Sequence, residues 1–276
     1  MANVSMQQKG KYTANLQCRR YSHYAKKKEG WKRWLMSWLI VFVFLGSNFN
    51  GFAQKTITFP AKDGLLVTAD LYEAGTSLPY LLLFHKSGSS RGEFRETAPR
   101  LMKLGYNCLA VDLRAGNEIN FVVNQTALRA REQNLPATYL DAVPDMQAAI
   151  EYAANISRKP IVVLGSSYSA SLALVLATKN PQILAVVAFS PGEYFEPNLN
   201  VRDTLSYLTI PLWIGGTKDE LPYLTKLTAK INPRYVTLFT PIHHAGKHGA
   251  LALWPDNPSK DEYWLSLLLF FNQIKE

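Results

Sequence analysis

The stretch KPIVVLGSSYSASLALVLA, residues 159–177, decides the fold of this chain of 276 residues. Its first part is apolar and β-branched and predicts a strand ending at Leu164, whereas its last part, from Tyr168, predicts a buried helix. Between them, small residues lie two before and two after Ser167, although Ser169 stands where glycine is usual. Such a sharp strand-to-helix turn, the nucleophile elbow, exposes the hydroxyl of its central serine.

Short apolar runs alternate with amphipathic ones on both sides of this turn. Strands are predicted at residues 55–59, 65–72, 80–85, 107–112, 160–165, 183–190, 211–215 and 234–240, and helices at residues 94–104, 142–154, 168–178, 221–231 and 263–274. This alternation predicts an α/β fold with a mostly parallel central sheet of about eight strands flanked by helices. The first two strands, joined at Gly64, are expected to be antiparallel. Residues 116–138 have the weakest pattern and predict a long loop that forms one wall of a binding site.

A serine hydroxyl is a weak nucleophile, so Ser167 needs a base within hydrogen-bond reach and an acid that orients the base. Asp219 follows the strand predicted at 211–215, and His248, with a glycine after it, follows the last predicted strand. Both lie past the carboxyl ends of strands, where open α/β sheets place their sites. We favour Asp219 as the acid for this position, with Glu220 as the alternative.

The motifs, in this order, resemble those of the α/β-hydrolases, especially the dienelactone-hydrolase-like branch. The resemblance covers residues 55–276 and rests on DG at 63–64, FHKSG at 84–88, VDLRAG at 111–116, GSSYS at 165–169, IGGTKDE at 214–220 and GKHGAL at 246–251. It implies Ser167 as nucleophile, Asp219 as acid and His248 as base. It further implies an oxyanion hole made by the backbone N–H groups of Ser87 and Tyr168.

Two positions depart from the family pattern. Lys86 stands where a glycine usually follows the histidine of the FHKSG turn, and Ala115 replaces the glycine of the D-x-R-G turn. Dienelactone hydrolase proper uses a cysteine nucleophile, so its substrate does not carry over to a chain with Ser167.

The resemblance implies a serine hydrolase that cleaves small-molecule carboxylic esters through an acyl-enzyme and needs no cofactor. The alternatives are a serine peptidase or amidase of the same fold, and a hydrolase-like binding protein without turnover. Peptidases of this fold usually carry a propeller or a large cap, for which residues 54–276 leave no room. Retention of the serine, the acid and the histidine argues against a binding protein.

Aromatic and basic side chains also lie in loops at this sheet edge. Tyr194, Phe195 and Trp254 are candidates for an apolar substrate pocket or for a separate packing cluster. His85 is expected to bond nearby loop backbone.

Arg114 is expected to pin a loop through Asp112 or Glu93. His243 and His244 are alternative bases and, with His248, raise the question of a metal site. No carboxylate at ligand spacing accompanies them, so we expect no metal.

The net charge of +9 is concentrated at the start of the chain. Residues 1–33 hold nine of the 30 basic residues and one of the 21 acidic ones, whereas residues 54–276 hold 21 basic and 20 acidic residues. A nearly neutral body gives no reason to expect nucleic acid as a partner. A hydrophobic content of 47% also excludes a disordered protein.

An apolar run from Trp34 to Leu45 follows the basic stretch and is shorter than the roughly 20 residues of a membrane-spanning helix. This layout is typical of a secretory signal peptide, here cleaved between Ala53 and Gln54. We therefore expect residues 1–53 to be a leader, residues 54–276 to form one domain, and the product to be periplasmic or secreted. The alternative is that this segment stays uncleaved as an anchor. We expect the chain to contact a membrane only in that case.

Overall fold

The computed structural model describes residues 53–275, so the predicted leader up to residue 52 lies outside the described residues. Within the described part, no helix is long and apolar enough to cross a membrane. The strands are β1 (Ala53–Pro60), β2 (Leu66–Glu73), β3 (Tyr80–Phe84), β4 (Asn107–Val111), β5 (Glu118–Ile119), β6 (Val122–Val123), β7 (Ile161–Ser166), β8 (Ile183–Phe189), β9 (Leu212–Gly215) and β10 (Val236–Phe239).

Eight of these strands form one sheet in the order β1-β2-β4-β3-β7-β8-β9-β10, and β5 and β6 pair as a separate hairpin. In the large sheet, β2 runs antiparallel to β1 and to β4, and all other neighbours are parallel. The predicted α/β fold with a mostly parallel sheet of eight strands is confirmed. Each predicted strand is found within one or two residues of its expected ends.

The helices are α1 (Ala98–Met102), α2 (Gln125–Glu132), α3 (Val143–Ile156), α4 (Tyr168–Ala177), α5 (Val201–Leu205), α6 (Leu221–Thr228) and α7 (Lys260–Gln273). The helix predicted at 94–104 begins late, because Pro99 must lie in the first turn, where its missing N–H is not needed. Pro144 lies in the first turn of α3 for the same reason.

Residues 116–138 differ from the prediction of a long loop. They contain the β5–β6 hairpin and α2, which sequence patterns missed because the strands have two residues each and the helix is largely polar. The Asn124 side chain caps α2 by accepting a hydrogen bond from the Ala127 N–H. The same side chain donates to the Leu113 carbonyl, so this segment is anchored to the core.

The core lies on both faces of the sheet. Along β7, Ile161 and Val163 belong to one buried cluster and Val162 and Leu164 to the other. A strand covered on both faces is held on each side by packing, which explains its continuous apolar sequence. The fold therefore presents the turn after β7 from a rigid, central position.

Candidate active site

The turn between β7 and α4 has the geometry of a nucleophile elbow. Ser167 adopts φ 60° and ψ −123°, a backbone conformation that L-residues rarely adopt. Gly165 is required below it, because a Cβ there would lie 2.4 Å from the Ala170 Cα. Ser169, which stands where glycine is usual, fits in the turn, and its hydroxyl accepts from the Ser166 N–H (2.9 Å) and donates to the Phe84 carbonyl (2.8 Å).

The elbow brings Ser167 to the predicted base. The Ser167 Oγ lies 2.9 Å from Nε2 of His248, and Nδ1 of the same imidazole lies 2.6 Å from Oε1 of Glu220. A carboxylate can only accept, so Nδ1 carries the proton and Nε2 is free to accept one from the serine. These three side chains therefore form one hydrogen-bonded chain from acid to nucleophile.

The carboxylate in contact with His248 is that of Glu220, which corrects the predicted placement of Asp219 there. Asp219 is exposed in the turn after β9 and makes no hydrogen bond or ion pair among the described residues. Glu220 stands one residue later, immediately before α6, and its longer side chain folds back over the turn to reach His248. The turn admits it because Gly216 has no side chain: a Cβ there would lie 2.5 Å from the Glu220 Oε2.

Three hydrogen bonds hold the Glu220 carboxylate. Besides His248 on Oε1, the Thr217 N–H and the Ser190 hydroxyl donate to Oε2, at 2.9 and 2.7 Å. Burial would raise the pKa of Glu220, but the hydrogen bonds from these three groups outweigh it and lower the pKa below its ordinary value of 4.5. The group is therefore a carboxylate at neutral pH, able to stabilise an imidazolium.

The sequence predicts an oxyanion hole from two backbone N–H groups. Tyr168 is the first residue of α4, and Ser87 lies in the turn after β3. Within the described part of the chain, neither N–H donates to a protein acceptor. Their role toward substrate stays a prediction.

Glu93 and His85 hold the turn that carries Ser87. The Lys86 N–H and the Ser89 hydroxyl both donate to the Glu93 carboxylate at 3.0 Å. His85 is fully buried, with Nδ1 2.7 Å from the Lys86 carbonyl and Nε2 accepting from the Leu113 N–H at 2.9 Å. Burial lowers the pKa of His85, so the imidazole is neutral and bonds loop backbone, as the sequence predicts.

Tyr194 is the aromatic residue that reaches the nucleophile. Its hydroxyl lies 3.3 Å from the Ser167 Oγ and donates to the Ser190 carbonyl at 3.1 Å. Its ring meets Tyr139 edge-on, and Tyr139 stacks on Tyr168 with ring centroids 4.6 Å apart. The sequence missed Tyr139 because it falls in an irregular segment without a motif.

A cavity of about 200 Å³ lies beside this aromatic group. Its lining consists of Thr138, Tyr139, Leu140, Tyr194, Phe195, Glu196 and Asn198. Of segment 116–138, only its last residue reaches the cavity. Trp254 lies elsewhere, with its ring N–H donating to the Glu93 carbonyl at 2.9 Å, so the structure does not place it with the other two predicted aromatics.

Residues 69–274 match the sequence pattern of the dienelactone hydrolase family, over most of the chain. The chain belongs to this family. No curated protein matches it significantly in sequence. The chain is therefore a hydrolase.

Solved structures share its fold at low sequence identity. An esterase of Pyrococcus furiosus has a TM-score of 0.61 and 19% identity, over 80% of this chain and 93% of that one. A dienelactone hydrolase from Anabaena variabilis has a TM-score of 0.59 and 16% identity, over 80% and 98%. An acylaminoacyl peptidase of Pyrococcus horikoshii has a TM-score of 0.59 and 16% identity, over 83% of this chain and 43% of the peptidase. The fold is that of the α/β-hydrolases.

Arg114 of the hydrolase has partners other than those predicted. Its guanidinium binds Asp145 through two nitrogens and Asp63 through the third, with closest distances of 2.7 and 2.6 Å. Asp112, the expected partner, binds Arg91 instead at 2.6 Å. The predicted loop-pinning role is right in kind, but the partners come from distant parts of the chain.

The remaining histidines lie apart from the hydrogen-bonded chain of Ser167, His248 and Glu220. His243 and His244 are exposed, and His243 pairs with Glu262 at 3.3 Å. Among the described residues, no group of three or more His, Cys, Asp or Glu side chains could hold a metal ion.

Proposed function

We propose that the hydrolase cleaves carboxylic esters of small molecules by acyl transfer to water through Ser167. The observation that carries this proposal is the continuous chain from Glu220 through His248 to Ser167, with contacts of 2.6 and 2.9 Å. A serine activated in this way attacks acyl carbonyls. The names of the Pyrococcus esterase and the Anabaena dienelactone hydrolase support an ester as the substrate.

In the first half of the reaction, the Ser167 oxygen bonds to the ester carbonyl carbon while its proton passes to Nε2 of His248. The imidazolium is stabilised by the Glu220 carboxylate, which keeps its charge throughout. The carbonyl electron pair moves to the oxygen, which the N–H groups of Ser87 and Tyr168 bind. Loss of one such donor typically raises the barrier by about 2.7–4 kcal/mol.

The intermediate then collapses and the proton on Nε2 passes to the leaving alcohol, which departs with the electron pair of the broken C–O bond. In the second half, His248 takes a proton from water as the water attacks the acyl-enzyme. The proton then returns to the Ser167 oxygen as that oxygen leaves. The chain's own side chains supply every proton transfer in this scheme, so the proposal includes no cofactor.

A panel of p-nitrophenyl esters with short and long acyl chains, with an aminoacyl p-nitroanilide beside them, tests the substrate class. We expect turnover of the short esters, loss of this turnover in Ser167→Ala, and its retention in Ser157→Ala. Ser157 is a buried serine after α3 whose hydroxyl accepts from the Lys159 N–H before β7 begins, so it controls for removal of a buried hydroxyl far from Ser167. Turnover of the anilide in preference to the esters would instead identify a peptidase or amidase.

We also propose that the hydrolase is exported. The support is the basic leader and the apolar run from Trp34 to Leu45, with small residues before Gln54. Cell fractionation followed by N-terminal sequencing should give a soluble protein beginning at Gln54. Recovery of the intact chain in the membrane fraction would identify an anchor instead.

A further inference from the structure

Ser190, the residue that follows β8, holds an unusual backbone conformation next to the catalytic chain. Its φ is 50°, in the left-handed region that residues other than glycine seldom adopt. Its side chain is 2% exposed. Its N–H donates to the Gly215 carbonyl at the end of β9, at 2.6 Å, which fixes the residue against the neighbouring strand.

The hydroxyl of Ser190 connects the loop of the acid with the loop of the base. It donates to Oε2 of Glu220 at 2.7 Å and accepts from the N–H of Gly249 at 3.0 Å. The direction of both bonds is fixed, because an amide can only donate and a carboxylate can only accept. Gly249 directly follows His248, so one oxygen atom spans the two loops whose separation sets the acid–base distance.

This contact also explains how a glutamate serves at this position. Glutamate has one more rotatable bond than aspartate, so its carboxylate loses more freedom when it is held in one orientation. Ser190 and the Thr217 N–H occupy Oε2 and leave Oε1 to His248 alone. Without the Ser190 hydroxyl, the carboxylate can rotate away from the imidazole, and the Gly249 N–H loses its acceptor.

We propose that Ser190 is a positioning residue of the catalytic centre, which acts through Glu220 and through the backbone beside His248. This inference rests on the proposed hydrolysis by Ser167. Ser190→Ala removes a hydrogen bond to a charged carboxylate, and we expect this loss to lower kcat/KM by about 10- to 100-fold. The loss should fall on kcat rather than KM, because the Ser190 hydroxyl is occupied by Glu220 and Gly249.

Two matched variants separate this role from a general effect on folding. Ser157→Ala removes another buried hydroxyl, which accepts from the Lys159 N–H at 3.2 Å before β7 begins, at the opposite end of that strand from Ser167. It should keep native turnover. Ser190→Gly relieves the positive φ but also removes the hydroxyl, so it should be as slow as Ser190→Ala. Recovery of turnover in Ser190→Gly would mean that backbone strain, not the hydroxyl, matters.

A double-mutant cycle with Glu220→Ala measures whether the effect of Ser190→Ala on kcat/KM depends on Glu220. A purely structural role of Ser190 would give no such dependence. If Ser190 acts through the glutamate, Ser190→Ala should cost less than about threefold in the Glu220→Ala background. The cycle is measured as kcat/KM on p-nitrophenyl acetate, with the melting temperature of each variant recorded. An equal loss in both backgrounds, or a loss in Ser190→Ala no larger than in Ser157→Ala, would overturn the proposal. Failure of the native protein to turn over any ester would instead overturn the proposed function.

Discussion

Replacement of Glu220 by glutamine tests whether Glu220, rather than Asp219, orients the His248 imidazole. In the native site, Oε2 accepts from the Thr217 N–H and Oε1 accepts from Nδ1 of His248. A glutamine has one oxygen and one NH₂ group to fill these two places. The Thr217 N–H can only donate, so the amide oxygen must take the Oε2 position. The reverse orientation would put two donors, the glutamine NH₂ and the Thr217 N–H, against each other and would cost about 1–3 kcal/mol.

With the oxygen placed there, the glutamine NH₂ points at Nδ1 of His248. The imidazole must then accept at Nδ1 and carry its proton on Nε2, where it can no longer take the proton of Ser167. This tautomer and the loss of the negative charge that stabilises the imidazolium together lower kcat by about 10⁴-fold, which corresponds to about 5.4 kcal/mol of barrier. We therefore expect a loss of this order in Glu220→Gln with the fold unchanged.

The assay is kcat/KM on p-nitrophenyl acetate for Glu220→Gln, Asp219→Asn and the native protein, with circular dichroism as the check of folding. Asp219→Asn is the matched control, since the side chain is exposed in the same turn. It should stay within about twofold of native, because exposed substitutions away from a site have small effects. Loss of activity in Asp219→Asn, or near-native activity in Glu220→Gln, would refute the assignment of the acid.

Three further predictions concern charge and burial. Arg114→Met leaves the buried Asp145 carboxylate without its partner, which should lower the free energy of unfolding by about 3–5 kcal/mol and the melting temperature by about 6–20 °C. The control Lys230→Ala breaks an exposed ion pair and should leave the melting temperature unchanged. Burial raises the pKa of the Cys108 thiol, so mass spectrometry after iodoacetamide treatment should find it alkylated only in urea. The hydrogen bonds on Glu220 hold its pKa below 4.5, so its carboxylate should stay charged as the pH falls to about 5. Infrared difference spectra of the native protein against Glu220→Gln should therefore show no protonated carboxyl band from Glu220 above pH 5, and such a band would contradict the account.

The sheet and the elbow could be predicted because their signals are local. The residues of β7 are apolar on both faces, which is what a central parallel strand requires. The small residues around Ser167 are those that a sharp strand-to-helix turn needs. His248 could be found for a similar reason. It follows the last strand of the sheet and precedes Gly249, whose φ of 71° needs a glycine.

The acid could not be predicted, because Asp219 and Glu220 are adjacent and both follow β9. The choice depends on the path of the turn, in which the Thr217 N–H and Ser190 capture the longer side chain. Ser190 itself carries no sequence signal for its role, since a serine after a strand is common. Its function arises from two loops that meet it only in the folded chain.

The partners of Arg114 were missed because they are distant in sequence. The first residue chosen from the sequence, Asp112, lies two residues from Arg114, whereas Asp145 and Asp63 lie 31 and 51 residues away. Asp145 is in the first turn of α3, so its carboxylate reaches Arg114 only after the helix packs on the sheet. Such contacts follow from tertiary packing rather than from local pattern.

The central claim is that Ser167 is a nucleophile activated by His248, and labelling with a fluorophosphonate probe tests it most directly. The probe phosphonylates activated serine hydroxyls, and digestion followed by mass spectrometry locates the adduct. We predict an adduct on the Ser167 hydroxyl in the native protein, none in Ser167→Ala, and strongly slowed labelling in His248→Ala. A folded native protein that remains unlabelled, or an adduct that persists in Ser167→Ala, would contradict the account.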